Sequence, residues 1–555
     1  MKDIMTPWQR LLGLLQLDKR EIRQIIYYAV FAGLVALSLP LGIQAIINLI
    51  QGAQISSSWI LLVALVTLGV GFQGALQFMQ IRILEDIQQK IFARSSFEFA
   101  YRFPKITMGE LRNYYPPELA NRFFDTLTIQ KGLSKILIDF PAAVLQIVFG
   151  IMLLSFYHSF FIVYGVLLLI LIYVVFKFTA KKGLETSLLE SKSKYKVAHW
   201  LQEVARSLIS FKLSGKTNLA MSRNDELTSK YLDARENHFK ILALQFIQMI
   251  GFKILVTAGL LIIGGLLVLN QKMNIGQFVA AEIIILLIIG SVEKLIKGLE
   301  TFYDVLTSLE KIGQVVDKKL EEQDGIDPFE IKADLHAELE GIQVNTDEGR
   351  SVLKDVSFTF KANDCVLIKG ASGTGKTTLL KVLSGLMPPS SGSIYVNDIS
   401  MEGICLNRYR GSVGQVLPDQ YPFEGSILDN ITLGNPNITL ERLNDVLKNV
   451  GLLPFIKQQK DGIKTILHPL GQHIPHTVSK RIVLARAIVN SPKLLLMKNP
   501  LEHFTIEEAR LIIRYLTHPD NNWTIVIASR NDLWKEVCTQ TVDLNNDSLK
   551  TINNA

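Results

Sequence analysis

Six long apolar runs occupy about the first 300 residues: Ile25–Ile47, Trp59–Met79, Phe140–Phe156, Phe160–Phe178, Ile241–Leu269 and Phe278–Leu295. A helical bilayer crossing takes about 20 mostly apolar residues. Several runs reach or pass that length, so the pattern predicts six membrane spans rather than buried helices of a soluble core. Between them, Arg82–Arg102 and Glu190–Lys240 are charged, rich in helix formers and poor in Gly and Pro. They predict that the membrane helices continue well beyond the bilayer. Pro104, Gly109, Pro116 and Pro117 interrupt the first connector around a short segment, Glu118–Phe124. That segment reads either as a solvated turn or as a small helix docking on a soluble domain. Past Val315 the chain turns charged, with Asp327-Pro328 as a turn signal. The expected organisation is a polar N-terminal segment over 1–24, an all-α six-helix transmembrane domain over 25–315, a linker over 316–335 and an α/β domain over 336–555.

Charge sharpens the membrane reading. The net charge is +7, but Lys and Arg gather between the apolar runs. Lys19, Arg20 and Arg23 precede the first; Arg82, Lys90, Arg94, Arg102, Lys105 and Arg112 follow the second; Lys177, Lys181, Lys182, Lys192 and Lys194 follow the fourth. Gln51–Ser58 and Tyr157–Ser159 carry none, and Asn270–Gln277 only Lys272. By the positive-inside rule both termini and both long connectors face the cytoplasm of a multi-pass protein in the cell (inner or plasma) membrane. The positive charge is therefore read as topology, and no nucleic-acid partner is expected. Cys365, Cys405 and Cys538 are odd in number and widely spaced. They suggest neither a disulfide framework nor a metal site. Within the spans, Glu282 is either a functional carboxylate or simply hydrated near the outer end of its helix. Gln44, Gln73, Gln77, Gln245 and Gln248 either line a cavity or bond between helices.

The sharpest chemical motif begins after the apolar strand Val366-Leu367-Ile368. Gly370-Ala371-Ser372-Gly373-Thr374-Gly375-Lys376-Thr377-Thr378 leads into a helical run through Leu383. Strand, glycine-rich loop and helix form the setting in which backbone N–H groups converge on phosphate oxygens at a helix N-terminus. Lys376 adds a point charge for the terminal phosphates and Thr377 a hydroxyl for Mg²⁺.

With that motif in place the chain resembles the exporter class of ATP-binding-cassette (ABC) transporters over nearly its whole length, and among them those of protein secretion and peptide export. The resemblance rests on Asn274-Ile275-Gly276-Gln277-Phe278-Val279 and Ser308-Leu309-Glu310-Lys311-Ile312. It rests also on Trp200-Leu201-Gln202-Glu203 and on Gly109-Glu110-Leu111, which is similar to a first coupling helix. In the soluble half it rests on Val352–Phe358, Ser390–Ile394 and Arg481–Ala487. It implies an α/β P-loop nucleotide-binding domain that binds ATP. It also implies a homodimer, or a heterodimer with another such exporter subunit, moving a substrate that the sequence leaves unidentified. Nucleotide would lie between the phosphate loop of one subunit and the signature motif of the other.

Against the family pattern, several positions depart together. After the strand Lys493–Met497, Lys498 stands where an acidic Mg²⁺ ligand is expected and Asn499 where a glutamate orients the attacking water. An ammonium cannot ligate Mg²⁺, and an amide cannot accept a proton as a carboxylate does. The signature segment reads Ile474-Pro475-His476-Thr477-Val478. Pro418 occupies the glutamine position and Ser529 the switch-histidine position. The expectation is a subunit that binds ATP, with Mg²⁺ doubtful and hydrolysis weak or absent. The alternative is a membrane scaffold or sensor in which ATP binding locks a dimer without turnover. Two positions are open to the Lys498 ammonium: beside the β/γ-phosphates as a tethered cation, or turned to solvent or a local carboxylate. The second is the more ordinary.

Overall fold

The computed structural model describes residues 5–51, 57–112, 114–346, 348–545 and 551–553. Of the predicted connector Gln51–Ser58, residues 52–56 lie outside the described residues, as do the side chains at 174–176 and 178 of the span Phe160–Phe178. The chain divides into two compact units, one formed by Met1–Lys105 and Asn113–Lys318, the other by Ile106–Arg112 and Lys319–Ala555.

The first unit is helical. Five of its helical stretches are long and apolar enough to cross a membrane: Lys19–Gln51, Ser57–Lys105, Pro116–Tyr157, Leu219–Leu269 and Ile275–Val316. A shorter apolar stretch, Phe160–Tyr173, opens the helix Phe160–Arg206. The helices Ser57–Arg102, Phe160–Arg206 and Leu219–Leu269 hold 46, 47 and 51 residues. At 1.5 Å per residue each is about 70–75 Å long, more than twice a ~30 Å hydrocarbon core. The charged connectors thus continue the apolar helices, as their composition predicts. Helix Ile275–Val316 is the most buried, because Ala280, Ala281, Ile284, Ile285, Ile288 and Val292 recur at helical spacing on its inner side. It begins in a capping box made by Asn274 and Gln277, and it contributes to both apolar clusters of the unit. Close approach is bought with small residues: a side chain at Gly183 would enter the Tyr303 ring, and one at Gly298 the Phe140 ring.

The intramembrane glutamines divide between the two roles expected of them. Gln44 accepts a hydrogen bond from the Tyr157 hydroxyl at 2.7 Å, and Gln245 donates to that of Tyr303 at 3.1 Å. Gln73 and Gln77 line a cavity of about 230 Å³ together with Gln80, Gln146, Asp139 and Lys294. Gln248 has a buried carbonyl oxygen without a partner. Glu282 is half-buried.

The broken first connector is divided between the two units. The segment Glu118–Phe124 folds into the helical unit: Leu119 is fully buried and the Arg122 guanidinium stacks 3.7 Å from the Tyr195 ring centroid. The segment that joins the second unit is Ile106–Arg112, containing the short helix Met108–Leu111. Ile106 forms a β-bridge with Leu320, and the Thr107 N–H donates to the Lys319 carbonyl at 3.1 Å. This is the stretch carrying Gly109-Glu110-Leu111, the part of the connector that resembles a coupling helix.

The second unit is α/β. Its strands are β1 (His336–Asn345), β2 (Ser351–Lys361), β3 (Cys365–Lys369), β4 (Ser391–Val396), β5 (Ile399–Ser400), β6 (Val413–Val416), β7 (Gly425–Ser426), β8 (Ile466–Leu467), β9 (Leu494–Lys498), β10 (Thr524–Ala528), β11 (Gln540–Asp543) and β12 (Thr551–Asn553). An antiparallel sheet has the order β2-β1-β4-β5, and the central sheet the order β12-β11-β3-β10-β9-β6, parallel except for β12. Strands β3 and β9 are buried apolar runs up to their closing lysines and β10 is buried throughout, as strands covered on both faces must be. Cys365, Leu367, Leu495, Met497, Ile525 and Ile527 enter one apolar cluster. Val366, Ile368, Leu494, Leu496, Val526 and Ala528 enter the other.

The sheet also brings two of the cysteines together. Cys365 opens β3 and Cys538 lies two residues before its neighbour β11, with Cα atoms 4.5 Å apart. A sequence separation of 173 hid their approach. Cys405 is buried.

Candidate functional site

In an open parallel sheet, ligands are met beyond the carboxyl ends of the strands. Register brings three such ends side by side here. Ile368 in β3 is level with Ala528 in β10, and Ala528 with Lys498 in β9. The loops leaving β3, β10 and β9 line one cavity of about 480 Å³.

From β3 the chain enters the glycine-rich loop and then the helix Lys376–Leu383. Gly375 sits at φ +85°, where a Cβ would lie 2.7 Å from the Val352 carbonyl oxygen, so only glycine fits. Of the nine residues expected to bind phosphate, Gly370, Ser372, Gly373, Gly375, Lys376, Thr377 and Thr378 line the cavity. The other two shape the loop: the Ala371 N–H donates to Asn545 Oδ1 at 2.7 Å, and the Thr374 hydroxyl donates to the Ala371 carbonyl at 3.1 Å. The Lys376 ammonium folds over the loop and donates to the Gly370 carbonyl at 2.6 Å. Burial, then the nearby charges of Lys498 and Arg530, hold its pKa below that of an ordinary lysine.

Lys498 points into this loop. Its ammonium donates to the Thr377 hydroxyl, so the more ordinary outcome, a side chain turned away, is not what the structure shows. Asn499 follows with a left-handed backbone, φ +43°, and its N–H donates to the Ala528 carbonyl at 2.9 Å. Ser529 also lines the cavity, but its Oγ accepts the Asn531 N–H at 3.1 Å and so serves its own turn. Pro418 is not among the lining residues. It lies in the turn after β6, where Gln420 Oε1 accepts the Leu417 N–H at 3.2 Å and Lys381 pairs with Asp419 at 2.7 Å. Pro475 likewise lies away from this cavity, as N-cap of the helix His476–Ile488. Lys369, Arg530, Asp532 and Lys535 were not anticipated as lining residues. Their signal was positional: each closely follows, or ends, a buried strand.

The donor set can be tested against its implied ligands. Glycines, a helix start and clustered cations suit a polyphosphate. Mg²⁺ seeks hard oxygen donors in octahedral array, usually one or two carboxylates among them. Here the Thr377 hydroxyl accepts from an ammonium, and among the described residues the one acid lining the cavity, Asp532, is paired with Lys535. Among the described residues no cluster of three His, Cys, Asp or Glu could hold a metal ion. The site fits phosphate and does not fit the metal.

Comparison with known proteins accords with this architecture. Residues 24–292 match the ABC transporter transmembrane region and residues 353–502 the ABC transporter domain, so the two matches together span most of the chain. The chain is similar to the alpha-hemolysin translocation ATP-binding protein HlyB of Escherichia coli O157:H7, with 28% identity over 284 residues, 51% of this chain and 40% of that protein. It is similar also to the toxin RTX-I translocation ATP-binding protein of Actinobacillus pleuropneumoniae, 28% identical over 284 residues, 51% of this chain and 39% of that protein. The matches thus span about two-fifths of the length of these curated relatives. In fold it is similar to a bacterial Atm1-family ABC exporter with ATP bound: TM-score 0.85, 16% identity, 96% of this chain and 95% of that one. A helical membrane domain followed by an α/β nucleotide-binding domain, with both family matches in that order, makes this chain a member of the ABC transporters, with a fold like that of an ABC exporter.

Proposed function

We propose that the chain is a subunit of a dimeric membrane exporter that binds ATP at the loop Gly370–Thr378 and hydrolyses it weakly or not at all. Three proposals accompany this reading: domain limits near residues 25, 315 and 336, a multi-pass protein of the cell membrane with both termini cytoplasmic, and an as yet unidentified substrate. The observation that carries it is the Lys498 ammonium on the Thr377 hydroxyl. The loop keeps the geometry that cradles phosphates, while the neighbouring strand end offers a cation and an amide in place of two carboxylates. Loss of a general base alone costs about 10²–10⁴ in rate, and a missing metal ligand compounds it. The contact also favours the second reading, an ATP-locked scaffold or sensor, because it equips the site for occupancy rather than turnover.

The test is direct. The full chain, purified and placed in nanodiscs, is assayed for ATP binding and for phosphate release, with K376A as the blank. Saturable ATP binding with phosphate release at the blank's level supports the proposal. Vigorous release by the wild-type chain overturns it.

A further inference from the structure

We infer that this site takes its nucleoside triphosphate without a divalent cation, the Lys498 ammonium standing where the metal would. The inference rests on the reading of the cavity as a nucleotide site and extends it to the form of the ligand.

Three observations support it. The first is position. Thr377 is the loop hydroxyl that a bound Mg²⁺ would use, and the ammonium of Lys498 already donates to it. Strand register fixes that reach, since Lys498 is the last residue of β9, level with Ala528 beside the strand that feeds the loop. An ammonium carries three N–H donors. One is spent on Thr377, which leaves two to meet phosphate oxygens on the cavity side.

The second is the charge inventory. Among the described residues Lys369, Lys376, Lys498, Arg530 and Lys535 line the cavity, against Asp532 alone, which is engaged with Lys535. In P-loop sites the metal helps neutralise triphosphate charge. Here fixed side chains bring much of that charge themselves. A dication entering the same space would meet Lys376 and Lys498 at short range, with no free lining carboxylate to compensate.

The third is that the Lys376 and Lys498 ammoniums share the cavity, one held on the Gly370 carbonyl and the other on the Thr377 hydroxyl, so that their like charges repel. A polyanion relieves that repulsion, and a metal–polyanion complex of lower net charge relieves less of it. Metal-free ATP is accordingly the better partner.

The experiment measures ATP affinity of the full-length protein in nanodiscs by calorimetry, once with EDTA and once with excess Mg²⁺. The wild type is expected to bind at least as tightly in EDTA. K498D is expected to bind about tenfold or more weakly in EDTA, the scale of a lost charge-assisted contact, and to regain affinity with Mg²⁺. K498M is expected to weaken binding in EDTA without lowering the melting temperature, which separates the lost charge from a folding defect. Electron paramagnetic resonance with Mn²⁺ and ATP gives an independent readout: no protein-held manganese for the wild type, and a bound signal for K498D. Wild-type binding that requires Mg²⁺ overturns the inference and leaves the nucleotide site standing. Equal EDTA affinity for wild type and K498D also overturns it. Binding no better than K376A under either condition overturns the nucleotide site itself.

Discussion

If the proposed function holds, placing carboxylates at positions 498 and 499 should raise hydrolysis appreciably only when both are introduced. In N499E the chain regains a group able to orient water, but Lys498 still occupies Thr377 and no carboxylate stands ready for the metal. The backbone adds a penalty. Asn499 lies at φ +43°, a region asparagine tolerates and most other side chains enter at a cost of about 1 kcal/mol. A base contributes about 10²–10⁴ in rate, or about 3–5 kcal/mol of barrier, yet without the metal little of it is realised. N499E alone is therefore expected to raise phosphate release less than about tenfold. K498D/N499E is expected to raise it by about 10², toward the lower end of what a base supplies, because Pro475 and its neighbours still replace the signature motif. The assay is steady-state phosphate release from the full chain in nanodiscs, with Mg²⁺ varied and K376A as blank. If N499E alone matched the double variant, Lys498 would not be what excludes the metal, and the reasoning would fail at its central contact.

The remaining predictions concern stability, thiol reactivity and partners. Glu508 is held below the usual carboxylate range first by the Thr505 backbone N–H, 3.1 Å away, and further by Arg481. A depressed carboxylate stabilises above its unfolded value and loses that contribution as pH falls through its folded value. E508Q should thus melt below the wild type at neutral pH, by the ~0.5–1 kcal/mol of a partly exposed cap, and the gap should close in acid. Asn430 is fully buried; its amide meets the Phe423 N–H and carbonyl, the Ser426 carbonyl and Arg486 at 2.9–3.1 Å. N430A should cost about 2–3 kcal/mol through the groups left unpaired, read as an earlier thermal transition of the full chain; a variant within 0.5 kcal/mol of the wild type, roughly the range of surface substitutions, would refute it. Thiol titration under reducing conditions should find Cys365, Cys405 and Cys538 all slow to react in the folded chain, because each is buried, and fast once it is denatured. Co-reconstitution with an intact exporter subunit should give a heterodimer slower than the partner's own homodimer, because one composite site would use this chain's Lys498 and Asn499 and the other its Pro475; a heterodimer as fast as that homodimer would refute the argument.

What the sequence disclosed and what it withheld divide along the range of the interactions. The apolar runs, the long charged extensions and the strand-loop-helix of Val366–Leu383 are local patterns, and the structure repeats them with small shifts at the ends, such as β9 beginning at Leu494 and closing on Lys498. The approach of Cys365 to Cys538 was out of reach because β3 and β11 become neighbours only through the parallel sheet. The division of the first connector between the units was out of reach for a related reason. Glu118–Phe124 and Ile106–Arg112 are both short and flanked by turn residues, and what separates them is tertiary: Leu119 is buried in the helical unit, whereas Ile106 pairs with Leu320. Lys498 combines both kinds of information. Its identity, read against a family pattern, announces a lost carboxylate, but identity alone leaves the side chain free to turn to solvent. Only the register of β9 against β10 and of β10 against β3 sends the ammonium to Thr377. That distinction separates decay from reassignment. A merely eroded metal site would leave Thr377 open to water or metal, whereas here its hydroxyl is held by a cation that arrives with the strand. On the proposed reading, the residue that removes the chemistry of hydrolysis also supplies charge for holding the nucleotide, so that weak turnover and retained binding would be two consequences of one side chain.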